Sequence, residues 1–406
     1  MPTVRGLATQ LGISPTTVAG AYRILRERGL LITAGRRGTR ISPAPPVAAA
    51  WTAPVPAGTL DLAAGNPDAA LLPRLGPFLK RLSPEPRLYS DDIHSPELMR
   101  LARERLAADG LPCPAIAVVS GALDGIERVL TARLRPGDKV AVEDPGFPGV
   151  LHLVRALGLV LVPMRIDDEG PLPDAARAAI AAGARAMVVT PRAQNPTGAC
   201  LSPERTRALR AILAEHADLL VIEDDHCEVA AGAEAHTLCT EATRHWAIVR
   251  SVSKTLGPDL RLAILSGDEG TVARVAGRQL LGSRWVSHLL QELVVALWSD
   301  AQVDRRLAEA AERYAERRSA LREALASVGI DSHAESGLNV WIPVPEETPV
   351  VQALAEAGYA VRAGEAYRIE SPPAVRITSA ALPPEEAAAI AEVLAAALRR
   401  PGGSSA

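Results

Sequence analysis

Five short apolar runs follow one another through the middle of the chain, and each leads into a polar or glycine-rich segment. Apolar runs of this length between turn-forming residues predict buried strands. A helical pattern follows the first run and extends through Arg133. The runs are residues 115–119, 139–143, 186–190, 219–223 and 247–251. The chain is therefore predicted to have an α/β fold, with a ligand site beyond the carboxyl ends of these strands.

The pattern changes in the last quarter of the chain. Arg305–Leu325 has the spacing of a helix, and residues 337–343 have the composition of a strand. These features predict a small C-terminal α+β domain over residues 299–400, after a large domain over residues 59–298. The glycine- and serine-rich tail, residues 401–406, is expected to be disordered.

The first forty residues predict a separate small unit, the head, assigned to residues 1–43. Val4–Gly12 forms a short amphipathic pattern that ends at a glycine. Ser14 is placed to cap a second helix that begins at Pro15 and runs to about Arg28. Residues 30–41 predict a small β-wing. The buried face of the second helix is expected to consist of Val18, Tyr22 and Leu25.

Charge separates this head from the remainder of the chain. Residues 1–43 carry seven arginines and one acid, Glu27, whereas the whole chain has a net charge of −3. A basic head on an acidic body is the electrostatic pattern of a nucleic-acid-binding protein. Residues 42–58 contain five prolines and several alanines, which predict a semi-rigid linker assigned to residues 44–58.

Lysine is rare in this chain, which uses arginine for most of its cations. Lys254 is one of three lysines in 406 residues, the others being Lys80 and Lys139. An ammonium group can lose its proton and attack a carbonyl, whereas a guanidinium cannot. Lys80 and Lys139 are interpreted as surface residues. The hydroxyls and the arginine that flank Lys254 favour a Schiff base with a phosphorylated aldehyde cofactor.

The segment Ser251–Arg261 resembles the lysine motif of the fold-type I enzymes that use pyridoxal 5'-phosphate (PLP), the aspartate aminotransferase superfamily. The resemblance implies a PLP-dependent transferase fold and makes Lys254 the catalytic residue that binds the cofactor. Ser251, Ser253 and Arg261 would then hold the phosphate. The glycine-containing turn Ser120-Gly121-Ala122 would add backbone amides at a helix N-terminus.

The resemblance also assigns the residues around the cofactor ring. Asp224 would pair with the pyridine nitrogen, while its neighbour Asp225 is interpreted as a turn or helix cap. Asn195 would reach the ring hydroxyl. Phe147 would stack on the ring in place of the usual Tyr. His226 is either a second partner of the ring oxygen or a packing histidine.

Three further positions extend this site. Tyr89 is expected to reach the phosphate of a neighbouring subunit, which implies a homodimer with shared sites. Arg376 matches the arginine that binds a substrate α-carboxylate, although a surface cation is the alternative. Residues 65–68, with Asn66, are expected to form the loop that covers the pocket and contacts substrate.

The head resembles a GntR-type winged helix-turn-helix, and its fusion to an aminotransferase-like body resembles the MocR family of transcription factors. The resemblance implies contacts with DNA through Ser14, Thr16 and Thr17 at the second helix and through Arg36 and Arg37 at the wing tip. The helix that usually precedes a segment like Pro2–Arg5 is absent. Either the head is shortened, or Met1 is not the true start.

Two functions remain open on the sequence. In the first, the chain is a PLP-binding transcriptional regulator, in which PLP or its adduct with a small amino compound alters DNA binding. In the second, it is an aminotransferase acting on an amino acid. The four cysteines show no metal-binding spacing, so no metal is expected. Since no signal peptide or membrane-spanning run is evident, a cytoplasmic protein without membrane partners is expected.

Overall fold

Helices and strands alternate along the chain in the computed structural model, which describes residues 1–27, 31–33, 39–41, 55, 58–83, 85–240 and 242–399. Arg36 and Arg37, most of the predicted linker and the tail lie outside the described residues. The helices are α1 (Val4–Leu11), α2 (Pro15–Glu27), α3 (Gly76–Leu79), α4 (Pro96–Ala108), α5 (Ala122–Arg133), α6 (Pro148–Ala156), α7 (Pro173–Ala181), α8 (Pro203–Ala214), α9 (Glu269–Leu280), α10 (His288–Trp298), α11 (Ala301–Ser327), α12 (Glu347–Glu356) and α13 (Ala387–Arg399). The strands are β1 (Leu31–Thr33), β2 (Thr39–Ile41), β3 (Leu60–Asp61), β4 (Ala115–Val119), β5 (Lys139–Asp144), β6 (Val160–Asp167), β7 (Gly170–Pro171), β8 (Ala184–Val189), β9 (Leu220–Asp225), β10 (His245–Ser251), β11 (Ala263–Gly267), β12 (Asn339–Pro343), β13 (Tyr359–Ala360), β14 (Arg362–Ala363) and β15 (Ala374–Thr378).

An eight-stranded sheet forms the centre of the large domain, in the order β4-β11-β10-β9-β8-β5-β6-β7. Strands β10, β9, β8, β5 and β6 pair in parallel. Strand β11 is antiparallel to both of its neighbours, so β4 points in the same direction as β10. The five predicted strands are all present. Strands β6, β7 and β11 were not predicted, and they complete one edge and fill one internal position of the sheet.

Both faces of the central sheet are buried, which explains why its strands appear as continuous apolar runs. Val140 and Val142 of β5 pack into one hydrophobic cluster, whereas Ala141 between them packs into another on the opposite face. The same alternation places Val188 of β8 in the first cluster and Met187 in the second. The carboxyl ends of these strands are therefore held in a rigid core.

The small domain is built on an antiparallel sheet in the order β12-β15-β14. The predicted helix over Arg305–Leu325 lies within α11. The strand predicted over residues 337–343 is β12, which begins two residues later than predicted, at Asn339. Strand β3 pairs with β13 of this domain, and Leu62 packs in its core. The first residues assigned to the large domain thus pack with the small one. The sequence did not predict this, because β3 and β13 are only two residues long each.

The head contains the predicted pair of helices and two antiparallel strands, β1 and β2. Gly12 ends α1 in a left-handed conformation, with φ of 65°. Val18 and Tyr22 of α2 are buried against Ala8 and Leu31, as the spacing predicted. The Tyr22 hydroxyl donates a hydrogen bond of 3.0 Å to the carbonyl oxygen of Pro2. Leu25 packs at the edge of this cluster.

Among the described residues, no helix is both long enough and apolar enough to cross a bilayer.

Candidate cofactor and ligand site

A cavity of about 470 Å³ opens beyond the carboxyl ends of the parallel strands, where the fold predicts a ligand site. Its size lies within the range of small-molecule pockets. The loops after β5, β8, β9 and β10 all reach it. The predicted residues that line it are Ala122, Phe147, Asn195, Asp224, His226, Ser251, Ser253, Lys254, Arg261 and Arg376.

Lys254 lies in this cavity and is held by the opposite wall. Its Nζ donates a hydrogen bond of 2.7 Å to the carbonyl oxygen of Gly65. Burial lowers the pKa of the Lys254 ammonium, and the nearby Arg376 guanidinium lowers it further. Cys227 and Asp224 act in the opposite direction. A lysine with a lowered pKa is more often a free amine, which is the nucleophilic form.

Asp224, the next-to-last residue of β9, is buried and presents an unused acceptor. Its Oδ1 has no hydrogen-bond partner among the described residues. Burial raises the pKa of this carboxyl to about 7, and the charges of Asp225 and Glu143 act in the same direction, while Lys254 opposes them. An N–H group placed in the cavity would satisfy the acceptor and stabilise the ionised form. Asp224 therefore fits the protonated pyridine nitrogen of PLP.

Asp225 does not cap a turn or a helix, contrary to the prediction. It is buried and accepts hydrogen bonds from Arg192 Nε at 2.9 Å and Arg250 Nε at 2.7 Å. Asp109 binds the same two guanidinium groups. Although burial raises the pKa of Asp225, the two arginines lower it well below its usual range. This ionic network fixes the end of β9 and keeps the adjacent Asp224 in place.

Backbone and side-chain donors form a cradle that suits a phosphate. Gly121, with φ of 97°, precedes α5, and a Cβ at this position would lie 3.1 Å from Arg261 Nη2. A side chain there would crowd the guanidinium, and the positive φ itself favours glycine. Ser251 and Ser253 contribute hydroxyls, with 3.0 Å between their Oγ atoms. A helix N-terminus, an arginine and two hydroxyls together match the requirements of a phosphate.

The amide of Ser120 does not contribute to this cradle. It donates a hydrogen bond of 2.8 Å to Asp124 Oδ2, and Ser120 is not one of the residues that line the cavity. Of the predicted Ser120-Gly121-Ala122 turn, Ala122 lines the cavity and Gly121 does not.

The remaining ring-facing residues lie on two walls. Phe147 lines the cavity at the start of α6, where stacking on a flat ring is possible. His226 lines it beside Lys254, and burial lowers the pKa of its imidazole to about 4, with Lys254 contributing. His226 is therefore neutral at ordinary pH and can accept or donate one hydrogen bond. Asn195 lines the cavity and uses its Oδ1 as an acceptor for Arg376.

Arg376 is a buried cation at the cavity and not a surface residue. Its Nη1 donates to Asn195 Oδ1 at 3.1 Å, and its Nη2 donates to the carbonyl oxygen of Ala63. Its Nε has no partner among the described residues. The guanidinium carbon lies 5.1 Å from the centre of the Tyr367 ring. The site therefore offers a pre-positioned guanidinium to a carboxylate.

Two predicted residues lie elsewhere in the single chain. Tyr89 is 77% exposed and packs its ring against Trp285 and Arg284. Asn66 is exposed, while the preceding Gly65 lines the cavity. The expected covering loop thus contributes its backbone instead of the Asn66 side chain.

Several residues that line the cavity were not predicted from the sequence. They are Thr190 and His152 of the large domain and Arg362, Ala366 and Tyr367 of the small one. Arg362 belongs to the two-residue strand β14, which is too short to show a period. An arginine-rich chain offered no other signal that would have singled it out.

The predicted DNA-contacting residues of α2 are exposed at its N-terminus. Ser14 Oγ accepts a hydrogen bond of 3.0 Å from the amide of Thr17, so Ser14 caps the helix as predicted. The hydroxyls of Ser14 and Thr17 lie 2.8 Å apart. Thr16 lies between them on the exposed first turn.

Comparisons with known proteins agree with both parts of this architecture. Residues 58–394 match the family described as "Aminotransferase class I and II", and residues 1–41 match "Bacterial regulatory proteins, gntR family". The "Vitamin B6 salvage pathway transcriptional repressor PtsJ" of Salmonella typhimurium is 41% identical over 403 residues, which cover 98% of this chain and 94% of that protein. The "HTH-type pyridoxine biosynthesis transcriptional regulator PdxR" of Corynebacterium glutamicum is 34% identical over 242 residues, covering 55% and 51% of the two chains.

Solved aminotransferases share the fold of the body. An archaeal alanine:glyoxylate aminotransferase superposes with a TM-score of 0.75 at 22% identity, covering 84% of this chain and 90% of that one. A Thermus thermophilus aspartate aminotransferase variant gives a TM-score of 0.73 at 24% identity, covering 83% and 96%. The head and the body of the chain each match a known family, and the residues in the cavity fit PLP. The chain belongs to the aminotransferase class I and II family and, with its gntR-type head, to the PLP-binding transcriptional regulators of the MocR type.

Proposed function

We propose that this chain controls transcription in response to PLP or to an amino compound that reacts with PLP at Lys254. The observation that carries this proposal is the buried carboxyl of Asp224, whose Oδ1 has no hydrogen-bond partner among the described residues, in a cavity that also holds Lys254 and Arg261. That cavity belongs to a chain whose head has an exposed helix-turn-helix. A ligand that binds two states of the protein unequally shifts the balance between them.

Each residue of the cavity has a distinct task in this proposal. Asp224 holds the proton of the pyridine nitrogen, and Arg261 binds the phosphate with the hydroxyls of Ser251 and Ser253. The Lys254 amine provides the covalent attachment. When bound, PLP supplies an electrophilic carbon and an electron-accepting ring. Arg376 orients the carboxylate of an incoming amino compound beside Lys254.

The relatives suggest which genes the chain controls. PtsJ is described as a repressor of the vitamin B6 salvage pathway, and it matches nearly the full length of both chains. We propose that this chain likewise acts on vitamin B6 genes and does so in the cytoplasm. PLP would then report the supply of the vitamin directly to the protein that controls it.

We propose a homodimer as the functional unit. Large apolar side chains are exposed on the segments that surround Tyr89, among them Leu88, Leu281 and Leu289. Exposed apolar side chains of this size are typical of protein interfaces. A second copy that covers them would bring its Tyr89 toward the neighbouring cavity, where the family resemblance assigns it to the phosphate.

DNA binding with and without PLP tests this function. We would titrate the purified 406-residue protein into a labelled fragment of its own upstream region, with an unrelated fragment as competitor. Selective binding that changes roughly 5- to 150-fold with PLP is expected, which is the usual range of allosteric coupling. The Lys254→Ala variant should bind the fragment without responding to PLP.

The same preparation separates the regulator from an aminotransferase. Lys254, Asp224 and Arg376 share one cavity, which favours the capacity for amino transfer as a second function. Amino donors with a 2-oxo acid acceptor would reveal that activity as product formed over many turnovers. Non-selective DNA binding combined with efficient turnover would overturn the regulatory proposal.

A further inference from the structure

Residues 63–65, the entry segment, form the part of the cavity wall that is nearest in sequence to the head. Ala63, Ala64 and Gly65 all line the cavity. They follow strand β3 directly, and the predicted linker ends just before that strand. The entry segment therefore has the shortest covalent path from the ligand site to the head.

Two cationic side chains of the cavity hold the backbone of the entry segment. Lys254 Nζ donates a hydrogen bond of 2.7 Å to the carbonyl oxygen of Gly65. Arg376 Nη2 donates to the carbonyl oxygen of Ala63. The approach is close, since a Cβ at Gly65 would lie 3.2 Å from Arg376 Nη1. Because charged donors form strong hydrogen bonds, these two side chains fix the position of the segment.

The chain on either side of the entry segment is anchored outside the cavity. The amide of Leu62 donates to the carbonyl oxygen of Ala360 at 2.9 Å, and its own carbonyl oxygen accepts from the amide of Thr378 at 2.8 Å. On the other side, Asp68 accepts a hydrogen bond of 2.8 Å from Arg317 Nη1. Neither Leu62 nor Asp68 lines the cavity. Contacts that depend on a ligand are therefore concentrated in the entry segment itself.

The nitrogen that holds Gly65 is the one that reacts in the proposed function. When the Lys254 amine condenses with an aldehyde, the C=N bond forms and the aldehyde oxygen leaves as water with both amine protons. The nitrogen is then fixed at the aldehyde carbon and retains at most one proton. The half-buried carbonyl of Gly65 loses its charged donor and is driven to find another partner. The contact of Arg376 with Ala63 is left in place.

We infer that the entry segment is the element through which the ligand site regulates the head. Attachment at Lys254 releases the carbonyl of Gly65, and the release is passed through β3 to the linker. The held and released segments belong to two states of the protein that differ in affinity for DNA. This inference rests on the proposed function, since it takes PLP as the compound that attaches at Lys254.

Two substitutions at Lys254 should have opposite effects on DNA binding. Lys254→Ala removes the donor to Gly65, whereas Lys254→Arg keeps a cationic donor, and neither side chain can attach PLP. Without PLP, Lys254→Ala should bind the labelled upstream fragment with the affinity that the unaltered protein has in the presence of PLP. Lys254→Arg should have the affinity of the unaltered protein without PLP. The two variants should therefore differ roughly 5- to 150-fold.

Hydrogen exchange of the unaltered full-length protein follows the segment directly. PLP should slow the exchange of amides in the loop after β9, because it fills the cavity, but speed the exchange of residues 60–66. The analogue 4-deoxypyridoxine 5'-phosphate has a methyl group in place of the aldehyde and cannot attach to Lys254. It should slow exchange in the loop after β9 without speeding that of residues 60–66.

Lys139→Ala is the matched control for the lysine substitutions. Lys139 is exposed, and its Nζ donates a hydrogen bond of 2.6 Å to the carbonyl oxygen of Ala182, a contact of the same kind outside the cavity. Its loss should leave both the affinity for the fragment and the response to PLP unchanged.

Either of two results would overturn the inference while leaving the proposed function intact. One is equal DNA affinity of the two Lys254 variants when the unaltered protein responds to PLP. The other is slower exchange of residues 60–66 in the presence of PLP, which needs no variant and so does not depend on how the variants fold. An unaltered protein whose DNA binding ignores PLP would instead refute the proposed function.

Discussion

Two adjacent carboxyl groups at the end of β9 have pKa values that move in opposite directions. Arg192 and Arg250 keep Asp225 ionised, whereas burial raises the pKa of Asp224 to about 7. Asp225 has its hydrogen-bond partners within the chain, and Asp224 Oδ1 has none among the described residues. The Asp225 carboxylate therefore has a structural role, and the Asp224 carboxyl group is available to a ligand. Paired carboxyl groups with divergent pKa values commonly mark such a division of roles.

Replacing Asp224 with asparagine should change stability and cofactor affinity in opposite directions. A carboxyl whose folded pKa is raised contributes stability below its unfolded pKa near 4, and that contribution is lost as the pH rises through about 7. The PLP-free Asp224→Asn protein should therefore unfold less readily than the unaltered protein at pH 8, by up to about 2–4 kcal/mol. Chemical denaturation at pH 5 and pH 8 measures the difference.

In the same variant, the affinity for PLP should fall roughly ten-fold or more, because a neutral amide cannot form an ion pair with the pyridinium. Titration followed by visible absorbance measures it. Asp218→Asn is the matched control, since its exposed carboxylate pairs only with Arg244 among the described residues. An Asp224→Asn protein with ordinary PLP affinity would rule out the pairing with the ring nitrogen.

At the scale of elements, the sequence predicts those helices and strands that have a long, regular hydrophobic pattern. The five buried parallel strands and their loops were predicted because each is a continuous apolar run that ends at polar residues. Strand β11 was missed because it follows the lysine motif directly, without a separate turn signal. The two-residue strand β14 has no period at all, and so Arg362 could not be assigned to the cavity from the sequence.

The ionic network beneath the cavity connects elements that are distant in sequence. Arg192 follows β8 and Arg250 lies in β10, and both donate hydrogen bonds to Asp225. The same two guanidinium groups also donate to Asp109, which follows α4. Asp225→Ala would leave two buried guanidinium groups with one partly exposed carboxylate. We expect a loss of about 3–5 kcal/mol in the free energy of unfolding, the usual cost of breaking a buried ion pair.

Urea denaturation of Asp225→Ala gives this value, and Asp218→Ala is the comparison. The exposed pair that Asp218 makes with Arg244 is worth under about 1 kcal/mol, because solvent screens it. Equal effects of the two substitutions would show that the buried network does not stabilise the fold.

The N-terminus of α5 permits a test of the phosphate cradle alone. Gly121→Ala places a Cβ 3.1 Å from Arg261 Nη2 at a residue with φ of 97°. Gly137→Ala has a similar φ of 93° and nothing within 4 Å of the added Cβ, so it has the backbone strain without the displaced arginine. Both variants should lose about 1 kcal/mol of stability or more.

Only Gly121→Ala should weaken PLP binding, by roughly ten-fold or more, because the guanidinium must move from the phosphate position. Pyridoxal lacks the phosphate, and its affinity should be the same in both variants. Fluorescence or absorbance titration with the two compounds provides the comparison. Equal losses for PLP and pyridoxal would place the phosphate somewhere other than at Gly121 and Arg261.

At the scale of the whole molecule, Tyr89 lies outside the cavity of its own chain, although the family resemblance assigns it to a phosphate site. Tyr89 is exposed, and its ring contacts Trp285 and Arg284 of its own chain. The sequence predicted a shared site because the motif around Tyr89 resembles one that acts between subunits. Neither composition nor periodicity could have placed a residue in a partner's site, since both describe a single chain.

Mixing two variants, each impaired in a different way, tests whether the site is shared. Tyr89→Ala should bind PLP roughly ten-fold more weakly, because one hydrogen bond to the phosphate is lost. Lys254→Ala should form no covalent linkage with PLP. In a mixed dimer, the Lys254→Ala chain supplies Tyr89 to the intact lysine of its partner, so one complete site is restored. The two proteins would be unfolded and refolded together. A fraction of the sites should then bind PLP with ordinary affinity and show the visible absorbance of the linkage. Either variant treated alone should give no sites that have both properties. If the mixture behaves as the sum of its parts while sedimentation shows dimers, Tyr89 acts within its own chain or not at all.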